Sequence, residues 1–377
     1  MGSGRGGRRA RRSAAPGERA GSVQQPPLSA AAVSPPRRVS SPLGLTAARR
    51  CDTPRVSLIS VAELAAALDD PDLRIADVRW SLAVPGGGRD AYATAHLPGA
   101  VFVDLESVLT APVGPGRHPL PDPAAFAAAL GALGIGRAHR VVAYDDAGGT
   151  VAARLWWMLD ALGHARAAVL DGGIGAWRAA GLPVATEVPV HATLYAEERL
   201  ATPGVGSAWP RTIERVALAA RLGEVTLLDA RAVERYRGEI EPIDRVPGHI
   251  PTAHSLPTSA LLDASGRFLV PAALASRFAV AGVGGGGAVP AVGAGGGGAA
   301  GRGRGSVVVA CGSGVNACQL ALAMRAAGLP DPLLYPGSYS DWTQSGMPIA
   351  TGDAPGEMIG TLVPDPAIAP RERDRPA

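Results

Sequence analysis

The sequence predicts an α/β protein made of two tandem copies of one domain, each a mostly parallel sheet with helices on both faces. Short runs of valine, isoleucine and leucine alternate with amphipathic stretches, a pattern typical of parallel strands covered by helices. Five landmark segments recur in the same order in the two halves of the chain. Hydrophobic residues make up 47% of the 377 residues, which is enough to build two buried cores.

The five landmarks define the duplicated domain. In the first copy they are LRIADVR (73–79), HLPGAV (96–101), RVVAYDDAGGTVAARLWW (140–157), VLDGGIGAW (169–177) and GLPVA (181–185). In the second copy they are VTLLDAR (225–231), GHIPTAH (248–254), SVVVACGSGVNACQLAL (306–322), LLYPGSYSDW (333–342) and GMPIA (346–350). A repeat of this length indicates a duplicated domain, because solenoid repeats are much shorter. We therefore expect a first domain over 55–185, a linker over 186–220 and a second domain over 221–353.

Helices are predicted where apolar residues recur at helical spacing between the strands. Three such segments are VAELAAAL (61–68), AAFAAALGALG (124–134) and TIERVALAARL (212–222). Each lies beside a predicted strand, so each is expected to cover a face of a sheet.

Three segments have the composition of non-globular chain. Residues 1–54 are rich in arginine, serine, proline and glycine without periodicity, which predicts a disordered extension. The same arginine-rich, acid-poor composition also suits an organellar transit peptide. Residues 354–377 are expected to form a tail. Residues 282–305 interrupt the second copy with glycine runs; because no Gly-Lys-Ser or Gly-Lys-Thr follows, a surface insertion is favoured over a phosphate-binding loop.

Composition argues against several classes of protein. The net charge is only +3, and most of it comes from arginines in the first fifty residues, so no nucleic-acid partner is expected. Three cysteines without metal-ligand spacing indicate neither a disulfide scaffold nor a metal site. No run approaches eighteen apolar residues and no cleavable secretory leader is evident, so no membrane partner is expected. A cytoplasmic location is therefore predicted, or an organellar one if residues 1–54 are a transit peptide.

Cys311 has the position of a reactive cysteine. It follows the apolar run SVVVA (306–310), which places it at the carboxyl end of a parallel strand, where ligand chemistry gathers in α/β sheets. The segment CGSGVN then leads into a helix predicted over 315–327. Its glycines allow successive backbone N–H groups to point at one spot, and the helix adds the positive end of its dipole. Both features favour an anion on the sulfur, either a thiolate or a thiolate carrying an extra sulfur atom.

The three cysteines also admit other interpretations. Cys311 itself could be a small buried residue, and for Cys318, within the predicted helix, that interpretation is favoured. Cys51 lies in the N-terminal extension and carries no argument. A cysteine phosphatase requires an arginine that closes a Cys-x5-Arg loop, but Ala317 occupies the closing position, so phosphatase chemistry is disfavoured.

The tandem repeat, the HLPGA and GHIPTA segments, LDGGIGAW and above all CGSGV resemble the two-domain rhodanese family of sulfurtransferases. The resemblance covers essentially all of 55–353. It implies that the second domain carries the catalytic cysteine, Cys311, and that the first domain is a catalytically silent copy. Asp145 stands where the repeat would place a cysteine, and a carboxylate cannot carry a sulfane sulfur, which agrees with a silent first domain.

Within that family, CGSGV is similar to the 3-mercaptopyruvate sulfurtransferases. Thiosulfate-preferring members tend to carry two cations after the cysteine, whereas Gly312 and Ser313 add no charge. The resemblance implies that two arginines hold the donor's carboxylate, and the matching positions are Arg235 and Arg245. Arginine is suited to bidentate capture of a carboxylate, although either residue could instead lie on a solvated face. The remaining loop residues expected at the substrate are Gly314, Val315 and Asn316.

The resemblance also implies a relay of an acid, a histidine and a serine. The matching residues are Glu106, where the family has aspartate, His118 and Ser313. By contrast, the pairs Asp77/Arg79 and Asp229/Arg231 occur in both copies, so we expect them to be structural ion pairs.

The predicted activity is a ping-pong sulfur transfer from 3-mercaptopyruvate through a Cys311 persulfide. The acceptor would be thioredoxin, another thiol, or cyanide, and no metal or organic cofactor is implied. Thiosulfate:cyanide transfer is the alternative within the class. A non-catalytic sulfur carrier or binding module is the alternative of another class, disfavoured by the intact CGSGV segment.

Overall fold

The computed structural model describes residues 57–204, 206–284 and 306–356. The extension predicted over 1–54, most of the insertion predicted over 282–305 and most of the tail predicted over 354–377 lie outside the described residues. None of the helices within the described ranges is long and apolar enough to cross a membrane.

The first domain is a five-stranded parallel sheet with strand order β1-β5-β4-β2-β3. Its strands are β1 (Leu58–Ile59), β2 (Leu73–Asp77), β3 (Ala100–Phe102), β4 (Arg140–Tyr144) and β5 (Ala167–Leu170). Its helices are α1 (Val61–Ala65), α2 (Gly87–Thr94), α3 (Pro123–Ala132), α4 (Ala152–Ala161) and α5 (Gly173–Ala179).

The second domain is a four-stranded parallel sheet with strand order β7-β6-β8-β9. Its strands are β6 (Thr226–Asp229), β7 (Ala253–Ser255), β8 (Val307–Ala310) and β9 (Leu333–Leu334). Its helices are α6 (Arg215–Ala219), α7 (Val233–Arg237), α8 (Pro271–Val280), α9 (Ala317–Ala326) and α10 (Ser338–Gln344). Short 3₁₀ turns cover Ala196–Glu198 and Thr258–Leu261. The predicted α/β class with two copies of one sheet is confirmed.

The predicted helices exist but are shorter than their apolar patterns. Helix α1 covers the first five residues of the predicted 61–68, and α6 covers 215–219 of the predicted 212–222. Local capping fixes the start of α1, because the Ser60 hydroxyl accepts a hydrogen bond from Glu63 N while the Glu63 carboxylate accepts one from Ser60 N. Asp122 caps α3 in a similar way, with proline at the first helical position.

Each central strand contributes alternate residues to two different cores, one that belongs to its own domain and one that both domains share. On one face of the first sheet lie Ile75, Val142 and Tyr144, and on one face of the second lie Leu227, Val308 and Ala310. The opposite faces share a single core that contains residues of both domains, including Ala76, Val141, Ala143, Leu228, Val309 and Cys311. Since side chains alternate along a strand, the two-residue period directs Cys311 towards the first domain.

Helices α4 and α9 pack against each other where the two domains meet. A buried ion cluster extends this contact: Arg325 Nη1 lies 2.7 Å from Asp160 Oδ1, and Arg211 Nη2 lies 2.6 Å from Asp160 Oδ2. Asp331 pairs with the same two arginines. The cluster joins α4, the linker and the segment after α9.

The ion pairs predicted from the repeat are confirmed. Arg79 lies 2.6 Å from Asp77, and Arg231 lies 2.7 Å from Asp229, with all four side chains buried. Each arginine also donates to a backbone carbonyl at the start of the following strand region, at Ala95 and Gly248 respectively. Both copies therefore use the same ion pair at the carboxyl end of equivalent strands, β2 in the first domain and β6 in the second.

Candidate active site

Cys311 lies immediately after strand β8, and only 2% of its surface is exposed. The Gly314 N–H donates to its sulfur at 3.1 Å. The backbone N–H of Cys311 donates to the Ser338 hydroxyl at 3.1 Å, and the carbonyl of Cys311 accepts from Tyr339 N at 2.9 Å. The sulfur is thus held at the carboxyl edge of the sheet by contacts on both sides of the loop, as the sequence predicts.

Gly314 gives the cysteine loop its shape. Its φ is +79°, and a Cβ at this position would lie 2.3 Å from the carbonyl oxygen of Pro336. Only glycine fits both conditions, and the resulting turn directs the Gly314 N–H back to Cys311. Helix α9 then begins at Ala317, two residues later than predicted, so Cys318 lies in its first turn. The later start follows from the turn, which uses the residues before Ala317 to close over the sulfur.

His118 and Ser313 meet across the two domains. Nδ1 of His118 lies 2.7 Å from Oγ of Ser313, and both side chains are buried. Burial is the main effect that lowers the pKa of His118, and the charges of Arg154 and Arg117 act in the same direction, against Glu106. The imidazole is therefore neutral at neutral pH and can accept the proton of the Ser313 hydroxyl.

Glu106 lies at the other ring nitrogen of His118. Its Oε1 is 3.6 Å from Nε2 of His118 and accepts a hydrogen bond from Trp80 Nε1 at 2.9 Å. Trp80 also packs edge-on against the His118 ring, with ring centroids 5.4 Å apart. Because the Glu106 side chain is 56% exposed, solvent weakens its effect on the histidine. The structure brings together all three residues expected to form the relay.

Arg154, on helix α4 of the first domain, lies fully buried beneath the cysteine loop. Its Nη1 donates to the Gly314 carbonyl at 3.2 Å, and its Nη2 donates to the carbonyls of His118 at 2.9 Å and Leu109 at 3.3 Å. Burial lowers the pKa of the guanidinium, and the sulfurs of Cys318 and Cys311 act in the opposite direction. Among the described residues no carboxylate forms an ion pair with Arg154, so its charge acts on the cysteine loop itself.

Two other guanidinium groups cover Gly312. A Cβ at Gly312 would lie 2.7 Å from Nη2 of Arg117 and 3.5 Å from Nη1 of Arg235. Arg235 is therefore at the cysteine loop, as expected. Arg245 is exposed, and within the described parts of the chain it makes no hydrogen bond or ion pair, so the structure does not bring it to the loop. The neighbouring Asp244 points inwards instead and contacts both Arg117 and Arg235.

The remaining predicted site residues have distinct positions. Val315 is buried in the core shared by the two domains, and Asn316 is half-buried before the start of α9, with no capping hydrogen bond from its side chain. Cys318 is fully buried; its thiol donates to the Gly314 carbonyl at 3.3 Å, and burial raises its pKa to about 12. Cys318 is therefore a packing residue, as the sequence indicates.

The equivalent loop of the first domain holds a carboxylate in place of a sulfur. Asp145 follows strand β4 as Cys311 follows β8. Its Oδ1 accepts from the N–H groups of Ala147 at 2.9 Å and Gly149 at 2.8 Å, and its Oδ2 from those of Val151 at 2.8 Å and Ala152 at 2.9 Å. The amides at this strand end thus already bind an internal anion, and the position carries a carboxylate in place of the thiol that Cys311 supplies in the second domain.

Sequence reasoning missed Arg117, Arg154 and Asp244. The sequence around Arg154 does indicate a special role, because a charged residue within the apolar run AARLWWML must find buried polar partners. Arg117 stands next to the predicted His118, but its direction depends on how the domains pack. Asp244 lies in a loop without periodicity, so nothing in the sequence separates it from Arg245.

The comparison with protein families agrees with this site. The model of the rhodanese-like domain matches residues 60–180 and 214–345, which lie one in each half of the chain. The chain therefore belongs to the rhodanese family, with two rhodanese-like domains. It is a sulfurtransferase of that family.

Known relatives carry two different donors in their names. The chain is 42% identical over 306 residues to a probable 3-mercaptopyruvate sulfurtransferase of Pseudomonas aeruginosa, an alignment that covers 78% of this chain and 98% of the relative. It is 39% identical over 310 residues to a putative thiosulfate sulfurtransferase of Mycobacterium tuberculosis, covering 79% of this chain and 98% of the relative. Among solved structures, the 3-mercaptopyruvate sulfurtransferase from Leishmania major matches with a TM-score of 0.62 at 28% identity, over 78% of this chain and 76% of that one.

Proposed function

We propose that the protein transfers a sulfane sulfur from 3-mercaptopyruvate, through a persulfide on Cys311, to a thiol acceptor such as thioredoxin or to cyanide. The observation that carries the proposal is the 2.7 Å contact between His118 and Ser313, two residues after the cysteine. A serine beside a neutral histidine can transfer a proton to and from a substrate that forms an enolate. 3-Mercaptopyruvate has the carbonyl group needed for this, and thiosulfate lacks one.

In the first half-reaction the Cys311 thiolate attacks the sulfur of 3-mercaptopyruvate. The carbon–sulfur bond breaks and its electron pair passes to C3, giving the enolate of pyruvate. As the bond breaks, Ser313 takes up the proton of the donor's thiol and passes its own hydroxyl proton to Nδ1 of His118; the reverse transfer delivers one proton to C3 and completes pyruvate. The Gly314 N–H and the buried charge of Arg154 stabilise negative charge on the Cys311 sulfur. The sulfur atom remains on Cys311 as a persulfide.

In the second half-reaction an acceptor removes the outer sulfur. A thiolate attacks it, the sulfur–sulfur bond breaks, and the electron pair returns to Cys311 as a thiolate. The acceptor leaves as a persulfide, or as thiocyanate when cyanide is used. The cycle then begins again with an unmodified enzyme.

Thiosulfate transfer is the second candidate, and one specific observation favours it. Arg117 and Arg235 place two cations over Gly312, so the loop has more positive charge nearby than Gly312 and Ser313 alone suggest. Both cations are paired with carboxylates, Glu241 and Asp244, which reduces their attraction for a dianion. We therefore retain 3-mercaptopyruvate as the proposed donor.

A single-turnover experiment tests the proposal. The enzyme is mixed with 3-mercaptopyruvate without an acceptor, and pyruvate release is followed together with intact mass. We expect one pyruvate per chain and a mass gain of one sulfur atom that tandem mass spectrometry assigns to Cys311. Pyruvate release without sulfur on Cys311, or no pyruvate release from a folded protein that accepts sulfur from thiosulfate, would overturn the proposal.

A further inference from the structure

Two guanidinium groups from different domains converge above the cysteine loop. Arg117 comes from the segment before α3 of the first domain and Arg235 from α7 of the second, and both lie against the backbone of Gly312. Their side chains are 25% and 15% exposed, so both guanidinium groups are largely buried but still partly reached by solvent. Guanidinium groups are the side chains that proteins commonly use to hold a carboxylate or another oxyanion.

Asp244 occupies the space between the two arginines. One of its carboxylate oxygens, Oδ1, pairs with Nη1 of Arg117, and the other, Oδ2, lies 3.0 Å from Nη2 of Arg235. Its side chain is only 3% exposed. The carboxylate thus bridges the two guanidinium groups, one oxygen to each, as the carboxylate of a bound ligand would.

Glu241, the second carboxylate at Arg235, is fixed differently. Arg235 donates to it from Nε at 3.1 Å and from Nη2 at 2.7 Å, and the N–H groups of Ile243 and Asp244 donate to its Oε1 at 3.1 and 3.0 Å. Burial opposes its ionisation, but these contacts outweigh burial and lower its pKa. Glu241 is therefore an anchored structural partner that holds Arg235 in place.

Asp244 is the less firmly ionised of the two carboxylates. Burial, the largest effect, and the charge of Glu241 raise its pKa, although Arg117, Arg235 and Arg231 favour the charged form. Tyr339 also faces it. Asp244 belongs to the irregular segment between α7 and β7, and its neighbours Pro242 and Arg245 are exposed. Its side chain can withdraw without breaking a helix or a strand.

The charges around Gly312 balance only while no donor is present. Arg117 and Arg235 carry two positive charges, and Glu241 and Asp244 carry two negative ones. An anionic donor that joined this set would leave an unpaired negative charge in a largely buried place, which is costly. Binding of the donor therefore requires that one carboxylate leaves the arginines. Glu241 is also held by two backbone N–H groups, whereas the contacts of Asp244 described above are to the arginines, so we expect Asp244 to leave.

We propose that Asp244 is an internal ligand of the anion site formed by Arg117 and Arg235, and that the donor's anionic group competes with it. The proposal deepens the proposed function and rests on it for the identity of the donor carboxylate. Since an internal competitor lowers apparent affinity by the fraction of time that the site is free, Asp244 sets the affinity for the donor. An occupancy of about 90% corresponds to an affinity about tenfold weaker than that of the vacant site.

The test uses the variant Asp244→Asn, which removes the negative charge of the side chain and keeps its shape. Glu239→Gln is the matched control, because Glu239 lies in the same segment, is 54% exposed and pairs with Arg237 outside the cluster. The probe is pyruvate, an unreactive carboxylate, and the readout is how well it protects Cys311 from alkylation by neutral iodoacetamide. We expect the half-protecting pyruvate concentration to fall about tenfold in Asp244→Asn and to stay at the wild-type value in Glu239→Gln.

The change in the half-protecting pyruvate concentration distinguishes two roles for Asp244, competition with the donor and structural support of the arginines. If Asp244 only supports the arginines, Asp244→Asn will need more pyruvate than the wild type, or the same amount, and the proposal is overturned. Asp244→Ala is measured beside it, with melting temperatures, so that a variant with a disturbed fold does not decide the question. The assay needs no turnover. A wild type that releases no pyruvate from 3-mercaptopyruvate therefore removes the proposed function but leaves the protection result standing.

Discussion

Nδ1 of His118 lies 2.7 Å from Oγ of Ser313, so a side chain of the first domain completes the cysteine loop of the second. Arg154 follows the same pattern, because it reaches from α4 to the carbonyl of Gly314. The first domain thus supplies the histidine and a buried cation, and its Arg117 adds a guanidinium above Gly312. The first domain has Asp145 where the second has Cys311, and it nevertheless contributes side chains to the site around Cys311.

Removing either member of the His118–Ser313 pair should slow turnover without unfolding the protein. We expect His118→Asn and Ser313→Ala each to lower kcat/KM for 3-mercaptopyruvate about a hundredfold, the usual scale for a lost proton-transfer group. Thiosulfate turnover should fall less, because that donor has no carbonyl. Steady-state kinetics with both donors measures the difference, and equal losses for the two donors would contradict the proposed role of the pair.

Turnover should depend on pH because it requires the neutral form of His118. Burial holds its pKa below 6.5, so the imidazole loses its ability to accept the Ser313 proton only as the pH falls below that value. We expect kcat/KM of the wild type to decline on the acidic side of pH 6.5, and His118→Asn to lack that decline. An acid limb that persists unchanged in the variant would assign it to another group.

The two buried cysteines should differ in their importance for catalysis. Cys311→Ser is expected to abolish sulfur transfer, because it removes the atom to which Gly314 N–H donates. Cys318→Ser should retain most of the activity, since burial keeps the Cys318 thiol protonated and the serine can still donate to the Gly314 carbonyl. Turnover and tandem mass spectrometry of donor-treated protein check this assignment, which fails if the added sulfur is found on Cys318.

Gly314 should tolerate a methyl group far less well than a half-buried glycine of similar backbone conformation that has open space at its Cβ position. Gly266 has a φ of +76° with nothing within 4 Å of its Cβ position, whereas a Cβ at Gly314 would lie 2.3 Å from Pro336 O. Gly266→Ala should cost only the strain of a left-handed residue, about 1–2 kcal/mol. Gly314→Ala adds a backbone clash and displaces the amide at Cys311. Urea unfolding and turnover compare the two variants, and equal destabilisation would refute the argument from sterics.

The ion cluster around Asp160 should contribute to acid stability. Burial disfavours the charged Asp160, but the hydrogen bonds and charges of Arg325 and Arg211 outweigh it and lower its pKa. Its contribution is therefore complete above the unfolded pKa of about 3.9 and is lost as the pH falls through the lower folded value. Asp160→Asn should cost about 3 kcal/mol at neutral pH and less at low pH. Denaturant unfolding at several pH values measures this, and a cost that grows on acidification would contradict it.

The fold and the core of the site could be predicted from the sequence because their signals are local. Repeated strand patterns identify two copies, and the glycines after Cys311 indicate a turn of amides at a strand end. His118, Ser313 and Glu106 were reached through the family resemblance, and the structure brings them together. These features follow from short sequence motifs whose local structure does not depend on how the two domains pack.

The anion site could not be predicted in the same way. Arg117 contacts Gly312 only because the first domain packs against the second, and no pattern within its own segment reports that packing. Of the two expected arginines, Arg235 lies at the loop, but Arg245 is exposed while the adjacent Asp244 turns inwards. In an irregular loop a shift of one residue reverses which side chain is buried, and no periodicity fixes the register.

The most direct test of the account compares the two donors on one wild-type preparation. kcat/KM is measured for 3-mercaptopyruvate and for thiosulfate with the same acceptor at a fixed, saturating concentration. The proposed function predicts that 3-mercaptopyruvate is preferred by at least about tenfold, which corresponds to about 1.4 kcal/mol of transition-state stabilisation. A kcat/KM for thiosulfate equal to or greater than that for 3-mercaptopyruvate would contradict it.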